Sequence, residues 1–342
     1  MADRRIYIDK APGEIRGVVT LDGRPERLLI ERDDEIWPRL GLRRRARVTL
    51  VDRALGLAAL DLGEGQEASL RLKADRAPPV QGQTLEIEIA IEPQGGKPAV
   101  ARVLPPDAGF GELSLSLEQR LVALAPAAPL VTGREARAVA DEAEDEALAV
   151  EHRLGAGVSM AIEPTRALTA VDIDLAAGGG DGKRAARQAN LAALATLGRL
   201  LRLKALGGLV VVDLVGRGHD GPALTNAAQA AFTADQPGVI VGPITKFGTL
   251  ELALPRRYRP VREILCDGSG APTSATLALR LVRAIERQAR AAPGDRLVAR
   301  CAPNVAAAAA GPAKVLEGII GARFGVVSDP GLQTEQWDIA ST

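Results

Sequence analysis

The chain has 342 residues, with 43 basic side chains against 43 acidic ones and a formal net charge of zero. That length allows two or three small domains and a sizeable core. Neutrality removes any general pull toward nucleic acid or membrane, so anion binding has to come from local patches.

Two cysteines, Cys266 and Cys301, make no disulfide framework and suit a reducing compartment, so the expected location is the cytoplasm. Aromatic residues are only 2% of the chain, which weakens any scheme needing several base-stacking platforms. The opening segment, MADRRIYIDKAPGE, is charged and lacks an apolar core, so no signal peptide is expected. No run of about 18 uncharged apolar residues calls for a membrane span.

Residues 5–8, 14–21 and 27–30 read as strands, with a hairpin turn at Asp22-Gly23. Residues 37–104 read as a small β-barrel. Its runs are 46–52, 57–62, 68–72, 84–91 and 99–103, separated by Gly and Pro turns. Arg43, Arg44, Arg45 and Arg47 form the densest basic cluster, suited to phosphates. It serves equally as a charged guard on a strand edge. Pro105-Pro106 ends the barrel; 113–124 predicts a helix, 127–131 a strand, and 134–149 an acidic surface helix.

The stretch from Leu168 to Gly216 organises the rest. Two apolar, β-branched runs flank one amphipathic helix over 183–204, which implies a parallel strand–helix–strand crossover. Asp172 and Asp174 lie on one face of the first strand, two residues apart. Asp213 closes the second strand after three valines, where a buried carboxylate would be costly without compensation. Oxygen ligands of this kind suit Mg²⁺ or Mn²⁺. Taken singly, each aspartate reads more simply as a cap or a strand-end ion pair.

Further on, 222–234 predicts a helix, and 238–244 and 249–254 predict strands joined by a turn carrying Lys246. Lys246 is a candidate phosphate contact or a solvated loop lysine. Residues 272–342 read as a compact α+β unit. It has helices over 274–292 and 312–320, strands over 296–301, 323–327 and 336–339, and an alanine run, 306–310, of good helical propensity.

The runs LTAVDIDL, NLAALATLGRLLRLKALGGLVVVDL and ITKFGTLEL, in this order and spacing, resemble the catalytic core of the bacterial ribonuclease E/G family. That family carries Leu-x-x-Ile-Asp-Ile-Asn, Leu-Gly-Gly-Leu-Ile-Val-Ile-Asp-Phe and Ile-Ser-Arg-Phe-Gly at the corresponding places. The likeness is strong over about 156–256 and fainter at both ends. It implies an α/β and β multidomain chain with an S1-like (OB) barrel, 37–104, inserted in a reduced RNase-H-like subdomain, 1–36 and 105–155. A DNase-I-like α/β catalytic subdomain, 156–265, a remnant zinc link, 266–271, and a small α+β C-terminal domain, 272–342, follow.

The resemblance implies a Mg²⁺-dependent endoribonuclease acting on single-stranded RNA in processing or decay, leaving a 5′-phosphate and a 3′-hydroxyl. It places the metal on Asp172 and Asp213, and puts Asp174 where the family has a supporting Asn. Lys97, in Gly95-Gly96-Lys97, matches a basic residue used near the scissile region, and Lys246 stands where the family has Arg.

The departures point toward a simplified member. Leu214-Val215-Gly216-Arg217 replaces Phe-Ile-Asp-Met, and Ala59 and Ser69 stand near the positions of the S1 aromatics. Each missing base stack removes about 1–3 kcal/mol of binding. The 5′-sensor insertion is missing, so no preference for 5′-monophosphorylated RNA is expected. The zinc-link Cys-x-x-Cys becomes Cys266-Asp267-Gly268-Ser269, so neither structural zinc nor a zinc-linked dimer is expected. His219, six residues past Asp213, is a candidate proton carrier or a plain surface histidine. The rival reading is a non-catalytic RNA-binding or scaffold protein that keeps the fold. A small-molecule phosphohydrolase would fit the metal site but leave the barrel unexplained.

Overall fold

A computed structural model describes residues 3–75, 77–105, 111–176, 182–235 and 237–341. Pro106, expected to help end the barrel, lies outside them.

The chain opens with three antiparallel strands, β1 (Arg4–Ala11), β2 (Glu14–Leu21) and β3 (Arg24–Arg32). The predicted Asp22-Gly23 turn joins β2 to β3, with both residues at positive φ as a tight hairpin turn demands. Apolar residues alternate sides here. Ile6, Ile8 and Val19 face one way, and Tyr7, Val18 and Leu28 the other, so both faces of this sheet are covered.

The next five strands are β4 (Arg43–Asp52), β5 (Leu57–Gly63), β6 (Gln66–Arg71), β7 (Thr84–Ile91) and β8 (Ala99–Val103). They close into a barrel of order β4-β5-β6-β8-β7, in keeping with an OB-type fold. β4 pairs with β7 over Arg43–Arg47 and with β5 over Arg47–Asp52, so the arginine cluster lies along the β4–β7 ladder.

Helix α1 (Leu117–Leu124) follows, shorter than predicted. Ser116 and Gln119 form a reciprocal capping box that starts the helix late, while Leu113 is drawn into a backbone bridge with Arg43. Strand β9 (Leu130–Thr132) then adds in parallel to β1, and α2 (Arg134–Leu148) covers the side of the sheet opposite α1. This helix is no acidic surface helix. Its alanines Ala136, Ala140, Ala143 and Ala147 pack on the sheet, and Glu144 is 3% exposed because Arg16 and Arg280 bind it.

The third unit is a six-stranded sheet of order β10-β11-β12-β13-β15-β14. Strands β10 (Glu151–Gly155) and β11 (Val158–Pro164) were not anticipated, although Val158, Met160 and Ile162 alternate inward. β12 (Thr169–Leu175), α3 (Gly182–Leu203) and β13 (Gly208–Asp213) make the predicted parallel crossover. Helix α4 (Gly221–Ala231) leads to β14 (Ile240–Ile244) and β15 (Thr249–Leu254). Leu194, Leu197, Leu201, Leu224 and Phe232 from the helices meet Val171, Ile173, Val210, Val212, Leu250 and Leu252 from the sheet in the largest core cluster. That covers one face of the sheet and leaves the alternate residues on the other.

A short helix α5 (Val261–Leu265) joins this unit to α6 (Ser274–Ala291), β16 (Leu297–Cys301), α7 (Pro303–Ile320), β17 (Phe324–Ser328) and β18 (Trp337–Ser341). α7 begins nine residues before the predicted start, at Pro303, where a first-turn proline loses no hydrogen bond. The alanine run fills its first half and Pro312 sits inside it. The C-terminal unit has its own core but also docks on the first sheet through buried charge. Arg283 on α6 pairs with Glu14, and Arg137 bridges Asp9 and Glu286. Burial alone would raise the Asp9 carboxyl; Arg16, with Arg137 and Arg283, instead holds it below the usual range.

Candidate functional site

Strand register brings the central aspartates together. β12 and β13 run parallel with Asp172 opposite Asp213, so their Cα atoms lie about 4.8 Å apart on neighbouring strands. One row across the sheet reads Glu151, Ala161, Asp172, Asp213, Thr249, all on the face away from α3 and α4. Asp174, two residues on, shares that face and pairs in register with Ser159. Its Oδ1 accepts a hydrogen bond from the Leu175 amide.

All three carboxylates are exposed, which corrects the expectation that Asp213 is buried among its valines. The β alternation decides this: Val210 and Val212 point into the core, and Asp213 points out with Val211. No carboxylate of the three forms an ion pair with a described residue. Like charges directly opposite on paired strands repel. A register that holds Asp172 beside Asp213, neither of them ion-paired to a described residue, therefore sets two like charges where a cation would be welcome.

The donor set is all oxygen, which fits a hard divalent ion and not a soft one. No group of three or more His, Cys, Asp or Glu gathers as a metal cluster among the described residues. The geometry on hand is thus a pair, Asp172 and Asp213, with Asp174 further along the same face. A pair of carboxylates completed by water and substrate oxygens is the usual habit of Mg²⁺.

The β14–β15 turn lies at the Asp213 end of the sheet, since Thr249 is the register partner of Asp213. Five hydrogen bonds build it. The Thr245 amide donates to the Thr249 carbonyl at 2.9 Å and the Gly248 amide to the Thr245 carbonyl at 3.0 Å. The two threonine hydroxyls meet at 2.7 Å, and the Thr245 hydroxyl also accepts from the amides of Phe247 and Thr249. Gly248 sits at φ +89°, and a Cβ there would stand 3.2 Å from His219 Nε2. His219 therefore packs against this turn from the loop after β13. Lys246 Nζ lies 5.1 Å from the centroid of the Phe247 ring, which is 78% exposed.

The other basic residues lie elsewhere. Lys97 is exposed in the β7–β8 loop, where Gly95 donates to Glu263 and Gln94 to the Tyr258 carbonyl. Those partners follow β15 off the end of the sheet remote from Asp213, so no described contact joins Lys97 to the carboxylates. In the barrel, Arg43 pairs with Glu88 at 2.7 Å and Arg45 with Glu86 at 3.3 Å across the β4–β7 ladder. Arg44 and Arg47 have no ion pair with a described residue. Ala59 and Ser69 are register partners on the β5–β6 face, so the surface on which OB folds commonly bind nucleic acid has no ring at that place.

Cys266 is 8% exposed within a core cluster, and burial pushes its thiol pKa up, against the thiolate form that zinc requires. Ser269 is taken up by Asp267, whose carboxylate accepts from its hydroxyl at 2.6 Å and its amide at 2.8 Å. No helix among the described residues is long and apolar enough to cross a membrane.

Sequence reasoning placed the turn that carries Lys246 but singled out neither Phe247 nor the threonine bracing. The signal lay in the alternation of 240–244 and 249–254, which makes 245–248 a hairpin tip at the level of Asp213.

Comparison with known proteins adds three findings. Residues 131–257 match the sequence model of the Ribonuclease E/G family. Ribonuclease E of Escherichia coli (strain K12) is 34% identical over 150 residues, covering 41% of this chain and 14% of that protein. Ribonuclease G of Salmonella typhimurium (strain SL1344) is 26% identical over 201 residues, covering 54% of this chain and 41% of that protein. In each case the match spans less than half of the relative's own length.

Proposed function

Given that the chain belongs to the ribonuclease E/G family, at modest identity over part of its length, we propose that it is a metal-dependent endoribonuclease cleaving single-stranded RNA. The observation that carries this reading is the carboxylate pair, Asp172 opposite Asp213, without an ion pair to a described residue, on the exposed face of the parallel crossover. In this reading the six-stranded unit is the DNase-I-like catalytic subdomain, the barrel is S1-like, and the first sheet with α1 and α2 is the reduced RNase-H-like part.

Asp172 and Asp213 would hold a divalent cation, Mg²⁺ or Mn²⁺, with Asp174 adding charge beside it. When bound, the ion supplies Lewis-acid polarisation of the phosphodiester and a lowered pKa for water. Lys246 would seat a backbone phosphate next to the pair, as a point charge on a turn of fixed geometry. Lys97, Arg44 and Arg47 would track the strand without specifying its sequence, and Arg43 and Arg45 would contribute less because Glu88 and Glu86 answer them. Cytoplasmic RNA processing or decay is the corresponding role.

The non-catalytic alternative is favoured by one observation, the ring-less Ala59–Ser69 face. Exposure of the aspartates also removes one argument against it, since an exposed carboxylate is cheap to keep.

The test is cleavage of a 5′-labelled A/U-rich oligonucleotide with Mg²⁺ or with EDTA. Asp213→Asn is expected to abolish Mg²⁺-dependent cleavage. In metal-free buffer its melting temperature should stay level or rise slightly, because one of two repelling charges is gone. A variant that cuts as fast as the parent, or a parent that never cuts, would end the proposal.

A further inference from the structure

Among the described aromatic residues, Tyr7 and Phe232 are buried, and Trp37, Tyr258, Phe324 and Trp337 are partly buried. Phe247 alone stands out in solvent. A single exposed ring is unremarkable in itself. Its setting is what distinguishes it. The turn that bears it is braced by both threonine hydroxyls and by four backbone amides, so the ring is presented from a stiff support. The turn is also tied to the aspartate strand, because the Leu214 amide donates to the Gly248 carbonyl at 3.3 Å, immediately after Asp213. Lys246 puts a cation beside the same ring. A π face and a positive charge on one rigid tip match the two halves of a nucleotide, base and phosphate.

The barrel supplies the complementary observation. At the facing positions Ala59 and Ser69 it offers no ring, so single-stranded RNA has to find its stacking partner elsewhere or go without. We infer that Phe247 is that partner: it stacks a nucleobase flanking the phosphodiester held at Asp172 and Asp213, and Lys246 takes the adjoining phosphate. This deepens the nuclease reading and rests on it for the substrate. It moves base recognition from the barrel to the hairpin beside the carboxylates. Stacking of this kind tolerates any base, because each has a π face, so the site selects for unpaired strands and not for sequence.

Binding is measured in EDTA, where cleavage is absent, with a labelled A/U-rich oligonucleotide carrying a single 2-aminopurine. The parent should bind it and quench the 2-aminopurine signal on stacking. Phe247→Ala should weaken binding about 5- to 150-fold, the worth of one base–aromatic stack, and abolish the quench. Phe247→Trp should keep both, and Phe247→Leu, apolar but without a ring, should lose the quench. All three should melt with the parent, since the side chain is exposed. Phe247→Ala that binds and quenches like the parent overturns the inference while leaving cleavage, and so the nuclease reading, intact. A parent that binds and quenches through Phe247 but does not cut in Mg²⁺ overturns the nuclease reading instead. A parent that fails to bind RNA at all overturns both.

Discussion

His152 is 7% exposed in β10, opposite Met160, and its Nε2 has no hydrogen-bond partner. Burial pulls its pKa from 6.5 down to about 4, and the positive charges of Lys204 and Arg199 add to this while Glu146 opposes it. A base with a depressed folded pKa is protonated first in the unfolded chain. Its contribution is therefore fully present above pH 6.5 and drains away as the pH falls toward 4. For this shift the loss by pH 5 is about 2 kcal/mol. Urea unfolding between pH 7.5 and 5 should show that slope in the parent and a flatter one in His152→Leu. Carboxylates with lowered pKa, such as Asp9 and Glu144, titrate below this window and should not blur it. Nothing local in the sequence marks His152 as buried. It sits among charges, Glu151 and Arg153, and only the strand's alternation turns it inward.

At the level of elements, two helical glycines should respond in opposite directions. Gly198 lies in α3 where it crosses α4, and an added Cβ would stand 2.5 Å from the Ala231 carbonyl oxygen. Backbone cannot step aside as a side-chain tip can, so the clash should outweigh the ~1 kcal/mol that alanine gains in a helix. Gly318, in α7, has nothing within 4 Å of the same position. Gly198→Ala should lower the melting temperature and Gly318→Ala should raise it, the latter by about 0.5–1 kcal/mol of stability. The same contrast explains what could be read in advance. Hairpins and the crossover were legible because turn chemistry and alternation are local. The start of α7 was not, since a proline reads as a stop until its place in the turn is known.

The whole molecule is joined by charge as much as by apolar packing. Arg16, 1% exposed, binds Asp9 and Asp141 at 2.7 Å and Glu144 at 2.9 Å, linking β1, β2 and α2. Glu14, equally buried, takes Arg32 at 2.7 Å and Arg283 of the C-terminal unit. Arg32 completes the tie by donating to the Ile264 carbonyl and the Thr276 hydroxyl. Removing one member of such a set leaves its partners buried and unpaired, at about 3–5 kcal/mol. Glu14→Gln should lose that much in denaturant unfolding, and a loss under about 1 kcal/mol would show that water reaches the arginines. This network also explains why α2 looked like a surface helix. The network's acidic residues have partners up to 269 positions distant for Glu14 and 136 for Glu144, and no sequence window holds both ends.

By itself the sequence determined the central strand–helix–strand order, the five barrel strands and the spacing that brings Asp172 and Asp213 to the same end of two strands. Those follow from alternation, glycine turns and helical periodicity, which act over a few residues. Tertiary structure alone decided that the aspartates face solvent in register with each other, that two barrel arginines are already neutralised, and that one exposed phenylalanine sits on the turn at the Asp213 end of the sheet. Each of those depends on which strand lies next to which, a matter of pairing between segments far apart in the chain.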